Sequence, residues 1–140
     1  MKFDISFIIL LFSLIGIALT AFLIYQHYYA VEVCNINQFI SCDVVNKSIY
    51  SEFFGIPVAA LGLGYFAIIA ILCQIKNRMM IMHIFFLSFI ALSFSAYLTY
   101  VELFVLNALC IVCESTKAVM LAIILLSYFS WKGKLKEISF

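Results

Sequence analysis

Four apolar stretches dominate the chain, each close to the length needed to cross a lipid bilayer. They run from Ile5 to Tyr25, from about Ile56 to Ile75, from Met79 to about Leu106, and from about Ala108 to Trp131. A hydrocarbon core of about 30 Å takes about 20 helical residues. No water satisfies backbone amides there, so a spanning segment is helical unless it closes a barrel. The pattern predicts an all-α membrane protein, a four-transmembrane-helix bundle forming a single domain over residues 1–140. Helices are expected at about 5–25, 56–75, 79–106 and 108–131, with an outer loop over 26–55.

Composition agrees. The chain is 67% hydrophobic and 11% charged, against about 45–50% and about 25% in a soluble domain. A net charge of +1 gives no electrostatic footing for nucleic acid. Lys2 before the first apolar run has the look of a secretory leader. That run is too long for a leader core and no small-x-small cleavage site follows, so a retained helix is expected.

The basic residues set the orientation. Lys2, Lys76, Arg78, Lys132, Lys134 and Lys136 fall on one side of a four-helix arrangement, and only Lys47 on the other. The positive-inside rule then places both termini in the cytoplasm and the loop outside. The expected location is a cytoplasmic membrane.

Four of the five cysteines fall on that outer side. Cys34 and Cys42 lie in the loop, and Cys110 and Cys113 at the start of the fourth stretch. Disulfides persist in an oxidising compartment. Cys73 sits near the inner end of the second stretch and reads as a small core residue. In "NALCIVC", Asn107 is a good N-cap, which would put Cys110 in the first helical turn at N3. There a thiolate is favoured by unpaired amides and the positive end of the dipole. Cys113 would lie one turn deeper on the same face. One thiol near water and one facing the membrane suits electron transfer from a water-borne dithiol to a lipid-soluble acceptor. Two small packing residues are the plainer reading of the same spacing.

The loop pair can be a structural staple or a redox shuttle that works through mixed disulfides. Ser48 to Phe54 is aromatic and amphipathic and is expected as a short lid helix on the bundle. Pro57 then fits at or near the first position of the second long helix.

Taken together, these features resemble the vitamin K epoxide reductase family, in its short prokaryotic form without a fused thioredoxin domain. The resemblance rests on the loop cysteines Cys34 and Cys42, on Ser48 six residues after Cys42, on "GIPVAALGLGY" from Gly55 to Tyr65, and on Cys110-Ile111-Val112-Cys113. It implies a membrane thiol-disulfide oxidoreductase that supports disulfide bond formation. Electrons would pass from a separate DsbA-like thioredoxin-fold protein to Cys34 and Cys42, then to Cys110 and Cys113, then to a membrane quinone of the ubiquinone or menaquinone class. Cys34 would meet the partner, Cys42 would exchange with Cys110, and Cys113 would face the quinone with Ser48 in support. Only nine residues follow Trp131, so the thiol partner is expected to be another protein. Animal members carry a tyrosine four residues after the second CxxC cysteine, where this chain has Lys117. Lys117 thus enters the expected quinone site, and quinone reduction is expected in place of epoxide reduction.

Other charged residues are less distinctive. Glu114 and Lys117 are three apart and can pair, can snorkel to the interface, or can handle protons for the quinone. Glu102, His27 and His83 read as interfacial or packing residues. A bundle binding or transporting metal through four outer thiolates is the alternative from another class, since four thiolates can hold zinc. The eight-residue spacing of Cys34 and Cys42 is loose for that, and no metal is expected. A DsbB-type enzyme would carry its CxxC in the first outer loop, the reverse of the order here.

Overall fold

The computed structural model describes residues 4–29, 34–75 and 77–138, with backbone alone at residue 78 and at 134–138. Lys2 and Lys76 lie outside the described residues, as do the side chains of Arg78, Lys134 and Lys136. The elements are α1 (Ile5–Tyr29), α2 (Cys42–Asn46), β1 (Glu52–Phe53), β2 (Ile56–Pro57), α3 (Val58–Gln74), α4 (Arg78–Tyr100) and α5 (Ile111–Ile138). A 3₁₀ turn covers Ile49–Ser51, and a π-helical turn, Val101–Val105, continues α4.

Among the described residues, three helices are long and apolar enough to cross a membrane: Ile5–Tyr29, Met79–Val105 and Ile111–Gly133. The fourth, α3, is apolar but has 17 residues. At about 1.5 Å per residue it reaches about 25 Å. The molecule is therefore a mostly helical membrane bundle of three long helices and one shorter one.

Burial is inverted relative to a soluble protein. Phe7, Leu11, Leu14, Ile15, Phe86, Phe89 and Ile90 face outward, while Ser13, Thr20, Ser88 and Ser127 are buried. Lipid tails are as apolar as leucine, so helices associate through small residues that allow close approach. Three of these hydroxyls are satisfied on their own helix, where Ser13 donates to the Ile9 carbonyl at 2.8 Å, Thr20 to Gly16 at 2.8 Å, and Ser127 to Ile123 at 2.7 Å, while Ser88 pairs with the Tyr65 hydroxyl of α3 at 2.7 Å. At Gly16, α1 meets α3 so closely that a Cβ would lie 2.4 Å from the Phe66 ring. α1 packs mainly on α3 and α5, and α4 on α5.

Two clusters make the core. Ile9, Phe66, Ile69, Ile84, Met120 and Ile123 fill one end of the bundle. Leu23, Cys42, Val45, Ala108 and Cys110 fill the other, with Cys34, Ala59, Leu106, Val112 and Cys113 packed against them.

Several expectations need correction. The lid is not a helix over 48–54. It is a short α2 from Cys42, then the 3₁₀ turn, then the β1–β2 hairpin, which pairs Glu52 with Pro57 and Phe53 with Ile56. Its two-residue turn needs positive φ at both positions, and Phe54 (φ 52°) and Gly55 (φ 76°) supply it. Residues 56–57 are thus strand, and Pro57 holds the N-cap position directly before Val58, next to the first position of α3 as expected. The first helix runs on to Tyr29, and the last to Ile138 instead of stopping at Trp131. Asn107 does not cap the last helix. It takes a left-handed φ of 48° beyond the π turn, a conformation asparagine tolerates, and α5 begins only at Ile111.

Candidate functional site

The loop is laced to the bundle next to both cysteine pairs. Ile40 bridges Leu109 in parallel, with the Leu109 N–H on the Phe39 carbonyl at 2.7 Å and the Ser41 N–H on the Leu109 carbonyl at 3.2 Å. This seam joins the residues just before Cys42 to the residue just before Cys110. Ser41 caps α2 by accepting the Val44 N–H at 3.4 Å, so Cys42 opens that helix. Cys34 and Cys42 are joined in a disulfide with Cα atoms 5.6 Å apart, within the usual span for such a bond.

A second tie comes from α1. Asn46 donates to the Leu23 carbonyl at 2.8 Å, and His27 Nδ1 pairs with the Asn46 carbonyl at 2.8 Å. His27 Nε2 lies 3.3 Å from Glu52. Ser48 donates to the Val45 carbonyl at 2.8 Å, closing the end of α2. His27 is therefore more than an interfacial residue, since it holds the lid at two points. His83 bonds the Met79 carbonyl of its own helix at 2.7 Å and takes no part.

Cys110 stands one residue before α5, in the cap position. Its carbonyl accepts the Glu114 N–H at 3.0 Å, and its sulfur accepts the Cys113 N–H at 3.3 Å. That is the N-cap arrangement with sulfur in place of the usual oxygen. Cys110 is therefore not at N3; Cys113 is. The correction strengthens the chemistry, because the cap sulfur faces the unpaired amides directly. A hydrogen bond from the Cys113 thiol lowers the pKa of the Cys110 thiol below its ordinary value, against burial, which pushes it up, and the Cys113 N–H adds to the lowering. A lowered pKa favours the nucleophilic thiolate.

Exposure is graded along the four cysteines. Cys34 is half-buried, while Cys42 and Cys110 are almost fully enclosed, at 1% and 0% exposure. Cys113 opens onto a cavity of about 310 Å³ between α1, α3, α4, α5 and the lid. Most of its wall is aliphatic, and its polar points include Ser48, Tyr65, Glu102 and Lys117. A volume near 300 Å³ with few polar groups fits a small apolar ligand.

Lys117 and Glu114 do pair, at 2.6 Å, but Lys117 does not snorkel. It reaches inward to Glu102 at 3.0 Å and to the Thr99 hydroxyl at 2.7 Å. Glu102 is the functional candidate that sequence reasoning passed over. It is 4% exposed, and its other oxygen accepts the Cys110 N–H at 3.5 Å. A π-helical turn carries it, and such turns recur at functional sites. The available signal was its charge within an apolar stretch, with an opposite charge on the stretch that follows.

The expected cysteines, Ser48 and Lys117 thus lie around one cavity and the cluster beside it. Cys73 stands apart, packed at the other end of the bundle. Among the described residues no group of three or more His, Cys, Asp or Glu could hold a metal ion. No curated protein compared with the chain matches it significantly. The family model for the vitamin K epoxide reductase family matches residues 7–128 of the 140. The chain belongs to the vitamin K epoxide reductase family, whose members are membrane oxidoreductases.

Proposed function

We propose that this protein passes electrons from an external dithiol protein to a membrane quinone and so supports disulfide bond formation. In this reading four helices span the cytoplasmic membrane, both termini face the cytoplasm, and the cysteines work at the outer face. The donor is a separate DsbA-like protein of thioredoxin fold. Its thiolate attacks the Cys34–Cys42 disulfide at Cys34, the more exposed sulfur, and leaves with its own disulfide formed. The electron pair now sits on the Cys34 and Cys42 thiols. Cys42 then reduces a Cys110–Cys113 disulfide by exchange inside the shared cluster. Finally Cys110 and Cys113 close again, and their electron pair and two protons go to the quinone.

One observation carries the reading: the four cysteines form a single packed cluster that runs from a half-exposed sulfur to the wall of an apolar cavity. The cavity residues Cys113, Ser48 and Lys117 are the quinone-binding set we assign. Ser48 shapes the lid through its bond to Val45, and Lys117 places its ammonium on the same cavity wall as Cys113.

The test is spectrophotometric. Detergent-purified protein is given a small dithiol, and loss of quinone absorbance is followed for wild type and Cys113→Ala. Turnover in the wild type with none in the variant is expected. Inactivity of the wild type with ubiquinone-type and menaquinone-type acceptors alike would sink the proposal. Stoichiometric zinc on the outer cysteines would then favour the metal-binding alternative.

A further inference from the structure

Glu102, Lys117 and Glu114 form a chain of charges from the rim of the molecule to the cavity. Their side-chain exposures fall from 37% at Glu114 to 13% at Lys117 and 5% at Glu102. Lys117 spends its three N–H donors on Glu114, Glu102 and Thr99. Glu102 and Lys117 both line the cavity, and Glu102 also touches the backbone of Cys110.

Structural need does not explain this. Burying an ion pair costs several kcal/mol per ion, and apolar side chains of similar volume are commonly as stable. A second carboxylate on a single ammonium leaves the fully ionised group at −1 beside apolar walls. One added proton makes it neutral, so the group can store and release a proton. Intramembrane charges of this kind mark proton or substrate paths.

We propose that Glu102 is the inner proton carrier of quinone reduction, acting through Lys117 and refilled from the outer surface through Glu114. This rests on the quinone reading above. When Cys110 and Cys113 are oxidised, two S–H bonds break, one S–S bond forms, and the electron pair leaves for the quinone. Its two oxygens gain two O–H bonds. Lys117 gives one of its own protons to the nearer quinone oxygen and is restored by Glu102, which has taken the proton released beside it at Cys110. The second thiol proton follows the same path; a Cys110 that starts as the thiolate brings no proton, and outer water then supplies that one through Glu114.

The experiment is the pH profile of quinone reduction in detergent, with a small dithiol and a short-chain quinone. Wild type, Glu102→Gln and Glu114→Gln are compared. Glutamine keeps the size of the carboxylate and one of its two accepting positions, toward Lys117 or the Cys110 N–H, and removes its proton capacity. The titratable groups facing Glu102 are Lys117, Glu114 and Cys113 on α5 and Cys110 just before it, with Tyr50 of the lid and Tyr65 of α3 around the cavity. None of these is altered in Glu102→Gln. A loss in kcat of about 100-fold is expected, the lower end for a positioned acid or base. KM should be little changed, and the pH dependence of kcat should differ from that of the wild type. Wild-type kcat and profile in Glu102→Gln would overturn the relay, as would a change confined to KM. Should Glu102→Gln fail to fold, the half-exposed Glu114→Gln decides: a lowered, pH-shifted kcat supports the relay, and a wild-type profile overturns it. Wild-type turnover separately reads the quinone proposal, so the two failures are distinct.

Discussion

Replacing His27 by alanine should loosen the lid without touching a cysteine. Two ties are lost, the 2.8 Å bond to the Asn46 carbonyl and the 3.3 Å pairing with Glu52. The first is part-buried, and a buried acceptor left without its donor costs about 1–3 kcal/mol. The second involves a Glu52 side chain that is 49% exposed, where an ion pair is worth about 0–1 kcal/mol. Water can reach the freed carbonyl in part, so a net loss of about 1–2 kcal/mol follows, raising the open population about 5–30-fold. The Asn46–Leu23 bond, the Ile40–Leu109 seam and the disulfide remain. Amide hydrogen exchange in micelles reads this directly, because protection reports local opening. Protection should fall about 5–30-fold across α2 and the 3₁₀ turn and stay unchanged in α3. Unchanged protection over residues 42–51 would refute the two-tie account. Uniform loss over every helix would mean that His27 supports the whole bundle instead of the lid.

Two further outcomes follow from the same geometry. Gly16→Ala should lower stability by about 1–3 kcal/mol, the usual cost of overpacking a core, because the new Cβ meets the Phe66 ring at 2.4 Å. Gly64→Ala has open space and should be neutral or up to about 1 kcal/mol more stable; thermal unfolding in one detergent compares the two, and equal midpoints would contradict the packing. The Cys110 thiolate should be titrated by its ultraviolet absorbance, with Cys110→Ser as the blank. Its pKa is lowered chiefly by the hydrogen bond from the Cys113 thiol, so thiolate should appear below the ordinary range near 8.5. Cys113→Ala should move the midpoint back up, and no movement would assign the shift to the helix end alone.

The sequence by itself determined the solvent and the parts list. Runs of about 20 apolar residues favour the helix in lipid, so the helices were legible and their starts fell close to those expected, whereas the last one ran on to Ile138. The cysteine spacings were legible too, because a CxxC at a helix start puts its thiols on one face whatever surrounds it. Helix ends were less so. Asn107 looked like a cap in isolation, yet the π turn and its left-handed φ moved the start of α5 to Ile111 and gave the cap to Cys110. Only the tertiary structure brought the loop to the CxxC, since the Ile40–Leu109 seam joins segments 69 residues apart and leaves no periodic trace. Glu102 was lost for a related reason. Its meaning lies in Lys117, 15 positions away, and a lone carboxylate near a helix end reads as interfacial until its partner is seen. Local pattern fixes what each segment is, whereas pairings across the bundle depend on which side chains are left facing the same enclosed space.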